Sequence, residues 1–368
     1  MGNQKKQTIP YPRYFLRRKI LGFLGKGLLR LLTKPTILGL ENIPSDGPVI
    51  LAGNHVSTLE PMFMFLFPRQ LVEPIGAGDI PFEGFIDQIV RFYGYIPINR
   101  GNLDRKSMSQ ALSVLEQNGY LGIFPEGGTW DPGNMRAQLG VAWLSHKGQA
   151  AVVPVGFSGF LGGMGDVFKL KRPRLTMKVG EPVPALNPVN DSRPLKMVYQ
   201  EFADTILERI NVLIDPQDFL QVPSKSEYRL RIFVGDDKRE MQIQGQDVLA
   251  HFLHAPVLLR SLLINLKQPV KTLFPEDQPR TLQEFILALR SVLAILRDNS
   301  GFLTYRMGME KGKQAEQAIQ SLVNLLEDAR VVGEPVRLEA SAHHSYLDGR
   351  IEEKISQYDL EISPLGLA

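Results

Sequence analysis

Pro48-Val49-Ile50-Leu51 is a short apolar run, and it leads within a few residues into Asn54-His55-Val56-Ser57-Thr58-Leu59-Glu60. A buried strand that ends in a polar, titratable loop is the simplest reading of that order. The same arrangement follows at Gly94–Ile98, Tyr120–Phe124 and Val152–Phe157, with a further run at Leu175–Val179. Between these runs lie longer stretches with helical spacing, over Ser107–Gln117, Ala137–Lys147 and Leu195–Ile214. Short apolar runs alternating with helices from about residue 36 to 215 predict an α/β fold. In such folds functional groups collect where the strands leave the sheet.

The chain has 368 residues, 43% of them hydrophobic, enough for two ordinary domains or one large one. It has no cysteine, which excludes disulfides, thiolate metal sites and a cysteine nucleophile. A net charge of +3 hides an asymmetry: nine basic residues precede the first acid, Glu41, and the remainder is net acidic. Within residues 13–34, helical spacing puts Ile20, Leu21, Leu24, Leu28, Leu31 and Leu32 on one face and Lys19, Lys26, Arg30 and Lys34 on another. No apolar run there approaches the roughly 20 residues needed to span a bilayer. A basic amphipathic segment over 1–35, lying at a membrane interface, is the expectation.

The domain reading continues with 36–215 as the α/β domain, 216–226 as a linker containing Pro and Ser, and 227–368 as a small accessory α+β domain. In that last part Tyr228, Leu230, Ile232 and Val234 alternate with Arg229, Arg231 and Phe233 up to Gly235-Asp236-Asp237, and Met241 and Ile243 resume the alternation. This predicts a hairpin. Thr281 and Glu284 stand at capping-box spacing ahead of Phe285, Ile286, Leu287 and Leu289, which predicts a helix start. Gly162-Gly163-Met164-Gly165 is no dinucleotide fingerprint, and His343-His344 lacks the further ligands of a metal site.

His55 and Glu60 form a His-x4-Glu pair. On a turn that enters a helix, a carboxylate five positions on can fold back to the imidazole, fix its tautomer and stabilise its protonated form. Glu126-Gly127-Gly128-Thr129 follows the Tyr120–Phe124 run, and glycines there let backbone N–H groups approach an anion.

Four blocks in order, at Asn54–Glu60, Gly94–Gly101, Phe124–Thr129 and Val152–Gly156, resemble the signature of the glycerolipid acyltransferase superfamily, which includes the lysophosphatidate acyltransferases. The resemblance covers about residues 36 to 215. It implies an acyltransferase-type sheet flanked by helices and the transfer of a fatty acyl group from acyl-CoA or acyl-acyl carrier protein to a lysolipid hydroxyl, by default that of lysophosphatidate, in phospholipid synthesis. His55 would be the base and Glu60 its partner. Arg100, Glu126, Gly127, Gly128, Thr129 and Arg136 would hold the acceptor, with Asn54 and Pro154 positioning the site. The family's usual carboxylate in the first block is Asp where this chain has Glu60, and its third block commonly reads Glu-Gly-Thr-Arg where this chain has Glu126-Gly127-Gly128-Thr129-Trp130.

A donor that is already a thioester needs no enzyme nucleophile, metal or redox cofactor. The expected partners are a membrane lipid surface on its cytoplasmic face, bound peripherally, the acyl donor with acyl carrier protein as a candidate, and the lysolipid; nucleic acid is not expected. The altered third block leaves as one alternative the same chemistry on a non-phosphate lipid acceptor. A second, from a different class, is a lipid-binding scaffold without catalysis whose carboxy-terminal domain is the interaction module, and the retention of His55 and Glu60 argues against it.

Overall fold

The computed structural model describes residues 7–78, 84–99, 104–126, 137–189, 191–254, 280–298 and 309–362. They divide into two units, the first ending at Pro223 and the second beginning at Ser224.

In the first unit the apolar runs form a seven-stranded sheet: β1 (Lys34–Leu38), β2 (Val49–Gly53), β3 (Val72–Ala77), β4 (Ile96–Ile98), β5 (Tyr120–Ile123), β6 (Ala151–Ser158) and β7 (Arg174–Val179). The order is β1-β7-β6-β2-β5-β3-β4. Strands β6, β2, β5, β3 and β4 are parallel, whereas β7 runs antiparallel to β6 and carries β1 parallel to itself. Every residue of β2 is buried, as expected of a parallel strand covered on both faces.

Side-chain alternation along β2 sorts two core layers. Val49 and Leu51 pack with Leu29 of α1 (Phe15–Leu32), Phe63 and Met64 of α2 (Glu60–Leu66), and Phe157, Leu175 and Met177. Ile50 and Ala52 face the other way. They join α4 (Arg105–Leu115), α5 (Gly140–Gly148) and α7 (Leu195–Leu213) through Val114, Val141, Leu144, Ala203 and Ile206. Also in this unit are α3 (Gly84–Tyr93), α6 (Gly163–Phe168) and α8 (Pro216–Leu220), so the expected linker holds a short helix.

The amino-terminal helix differs from the simple two-faced expectation. Leu16, Ile20, Phe23, Leu24, Leu28 and Leu31 are exposed, while Leu21 and Leu32 turn partly inward beside buried Leu29. The inward face carries Gly25 because the contact is close: a Cβ there would stand 2.6 Å from Leu66 Cδ1. Arg18 is also buried. Its guanidinium pairs with both oxygens of buried Glu73 (2.7 and 3.0 Å) and donates to the carbonyls of Tyr93 and Gly94. Arg13 pairs with the same carboxylate.

The second unit is α+β, with a sheet in the order β10-β12-β11-β8-β9. Its strands are β8 (Lys225–Val234), β9 (Arg239–Met241), β10 (Arg280–Thr281), β11 (Val336–Ser345) and β12 (Ile351–Glu361). The expected hairpin is present as the antiparallel β8–β9 pair. One sheet face, through Leu230, Ile232, Leu338 and Tyr358, packs on α9 (Gln246–His254), α10 (Leu282–Asp298) and α11 (Met309–Val332). The predicted capping box is formed, with Thr281 N donating to Glu284 and Glu284 N to Thr281, each at 3.2 Å.

Candidate active site

Strand β2 ends at Gly53, where a Cβ would lie 2.6 Å from Met64 Cε and 2.7 Å from Phe157 Cε2, so only glycine leaves the chain room to turn out of the sheet there. Asn54 follows and is buried. Its side-chain amide accepts from Phe157 N (2.7 Å) and donates to Phe157 O (3.1 Å), extending the β2–β6 pairing through a side chain. His55 is thereby held at the strand end. Its ring stacks on Phe124 at the end of β5, with centroids 4.3 Å apart and planes 25° from parallel.

Glu60 is the first residue of α2 and is fully buried. One carboxylate oxygen accepts from Val56 N (3.1 Å) and Ser57 N (2.8 Å), while Ser57 Oγ accepts from Leu59 N (3.1 Å). The turn thus folds around the carboxylate, and the helix N-terminus favours its charge. The other oxygen lies 3.5 Å from His55 Nδ1, and among the described residues neither atom has a hydrogen-bond partner. At that distance the contact is a charge interaction looser than a hydrogen bond. Apo sites often tighten such contacts only when substrate binds.

Glu126, just after β5, is the third buried group. Its carboxyl lies near the His55 backbone N–H. Burial, reinforced by the charge of Glu60 and opposed by that N–H, pushes its pKa up to about 8. At neutral pH Glu126 therefore mostly carries its proton.

The structure brings Asn54, His55, Glu60 and Glu126 together at one edge of the sheet. Pro154 lies inside β6, opposite Ala52, with its carbonyl accepting from Gly180 N (2.9 Å). Arg100, Gly127, Gly128, Thr129 and Arg136 lie outside the described residues. Phe124 was not anticipated as part of the site; its place directly before Pro125-Glu126 was the available signal. Among the described residues no cluster of His, Cys, Asp and Glu could hold a metal ion.

The acyltransferase family profile matches residues 34–158, the span that runs from β1 to the end of β6 and holds all four groups. Over that span the chain resembles an acyltransferase domain. Over 128 residues the chain is 27% identical to a 1-acyl-sn-glycerol-3-phosphate acyltransferase of Borreliella burgdorferi, a match covering 33% of this chain and 50% of that protein. It is 22% identical over 155 residues to the enzyme of the same name from Bacillus subtilis, covering 39% of this chain and 70% of that one. The chain thus spans half the length of the first of these relatives and 70% of the second. A crystal structure of the 1-acyl-sn-glycerophosphate acyltransferase PlsC from Thermotoga maritima aligns over 56% of this chain and 84% of that one, with 18% identity and a TM-score of 0.40. The second unit lies beyond the family match.

Proposed function

We propose that this protein transfers a fatty acyl group from an acyl thioester to the hydroxyl of lysophosphatidate at a membrane surface. The observation that carries the reading is the contact of His55 Nδ1 with the buried carboxylate of Glu60 at a strand end. The names of the Borreliella and Bacillus relatives support the acceptor. With the Nδ1 proton directed at Glu60, the lone pair of Nε2 is left for the acceptor hydroxyl. His55 takes the hydroxyl proton as the oxygen bonds to the thioester carbonyl carbon. The tetrahedral intermediate then collapses with cleavage of the C–S bond, and the departing thiolate takes the proton from the imidazolium. Glu60 stabilises the imidazolium between the two steps.

Arg100, Gly127, Gly128, Thr129 and Arg136 are the groups proposed to bind the acceptor phosphate. Attachment is proposed to be peripheral, on the cytoplasmic face, through the exposed apolar stripe of α1; no described helix is long and apolar enough to cross a membrane. The test is turnover of purified protein with lysophosphatidate and either acyl-CoA or acyl-acyl carrier protein, which also decides the donor. His55→Ala should lower the rate by about 10²–10⁴ without loss of fold. Wild-type turnover by that variant would overturn the mechanism.

A further inference from the structure

Downstream of β6 the chain forms α6 and then a turn whose side chains alternate between apolar and basic. Phe168 and Leu170 are 77% and 73% exposed, and Lys169, Lys171 and Arg174 are interleaved with them. Exposed large apolar side chains on so short a segment are expensive unless something covers them. The turn is nevertheless fixed. Leu170 N and Lys171 N donate to the carbonyls of Val167 and Asp166, both at 3.0 Å, and Lys171 pairs with Asp166 at 3.1 Å.

Its location is equally defined. Arg172 donates to the carbonyls of Arg30 (3.0 Å) and Thr33 (3.4 Å), and Lys34 N donates to Pro173 O (2.8 Å), so the turn is tied to the carboxy end of α1. There the exposed stripe of α1 ends in Leu28 and Leu31. Basic residues flank the combined surface: Lys19, Lys26 and Arg30 on α1, then Lys34, Lys169, Lys171 and Arg174, with Asp166 the acid in contact with them. The ammonium of Lys26 is held below its ordinary pKa by partial burial and by the charges of Arg30 and Lys19, which shows how closely the cations crowd.

The turn also lies at the edge that carries His55. Strand β7 begins at Arg174, beside the end of β6, and β6 leaves the sheet alongside β2. Two strand spacings, about 10 Å, therefore separate the start of β7 from the strand that presents His55. Helix α6 meets the catalytic turn itself, since a Cβ on Gly163 would lie 3.4 Å from Leu59 Cδ1.

We propose that the Phe168–Arg174 turn is a second lipid-docking element which, with the stripe of α1, seats the His55 edge of the sheet on an anionic bilayer. The proposal rests on the membrane reading above and adds a contact point that fixes orientation. With one helix as the sole contact the domain could roll about the helix axis. A second contact beside α6 holds the catalytic edge toward the lipid, so a lysolipid need be only partly withdrawn to reach His55.

The absence of cysteine makes the test direct. Phe168→Cys, Phe23→Cys on the α1 stripe and Glu208→Cys on α7, at the opposite sheet face, each give the full chain one site for an environment-sensitive fluorophore. The variants are mixed with vesicles of equal parts phosphatidylglycerol and phosphatidylcholine, with and without an acyl-chain nitroxide quencher. Probes at 168 and 23 should be quenched and the probe at 208 should not. Quenching at 23 alone would overturn the proposal while leaving the membrane reading intact. Quenching at neither would overturn both, while turnover with detergent-dispersed substrates would still decide the chemistry. A lipid-independent blue shift at 168 that grows with protein concentration would assign the surface to a second copy of the chain and overturn the proposal. In unlabelled protein, Phe168→Ser with Leu170→Ser should weaken vesicle binding by roughly tenfold or more, and unchanged binding would count against the turn.

Discussion

Glu126→Gln should remove a pH-dependent destabilisation of the first unit, because glutamine keeps the shape and hydrogen-bonding capacity of a protonated carboxyl. In the folded protein burial raises the Glu126 pKa from 4.5 to about 8. The folded state therefore binds more protons than the unfolded chain between those values, and stability falls as pH rises through that window. At about 1.4 kcal/mol per unit, the wild type should lose on the order of 4 kcal/mol between pH 5 and pH 9 from this group. The other titrating groups are common to both proteins and largely cancel in the difference. Glutamine should thus be near neutral at pH 5 and increasingly stabilising toward pH 9. Both tryptophans, Trp130 and Trp143, precede residue 224, so denaturant titration followed by intrinsic fluorescence reads the first unit. Parallel stability profiles for the two proteins from pH 5 to 9 would refute the assignment of a buried, proton-holding Glu126.

Glu60→Gln should lose most acyl transfer, because an amide cannot stabilise imidazolium, whereas Glu60→Asp should keep measurable activity; equal turnover of Glu60→Gln and wild type would show that the two residues do not work as a pair. Arg18→Met should destabilise the fold by about 3–5 kcal/mol by removing the buried guanidinium and leaving Glu73 only the partly exposed Arg13, and Arg18→Met with Glu73→Leu should recover much of that in denaturant titration. Asn54→Ala should cost about 1–3 kcal/mol through the unpaired Phe157 backbone groups. It should also lower kcat more than it raises KM, since His55 loses its support; a purely structural effect would leave kcat of the folded fraction unchanged.

The central strands were legible because they are buried on both faces and read as continuous apolar runs. The turn that carries His55 and Glu60 was legible because its polar groups are compressed into seven residues. Strand β3 was not: Glu73 and Pro74 interrupt its run, and Glu73 is tolerable there only because Arg18 arrives from 55 positions away. Strand β1 is short, half-exposed and paired only with a strand far along the chain, so nothing local announced it. Helix α2 occupies seven residues between Leu59 and Phe67, too few for helical periodicity to stand out within an apolar stretch. Within the site, the pairing of His55 with Glu60 is a local event and was visible, whereas the approach of Glu126 depends on β2 and β5 being sheet neighbours.

The buried guanidinium of Arg18 changes what an amino-terminal deletion would mean. A chain beginning near residue 36 loses the outward apolar stripe and the inward cation in one cut. Glu73 then stays in the core without Arg13 or Arg18, and the groove over Leu66 opens. Poor membrane recovery or low activity of such a truncation would report a damaged fold as readily as a missing anchor. Interchanging amino-terminal segments between relatives faces the same constraint: the replacement must bring its own cation to Glu73 before its lipid preference can be compared.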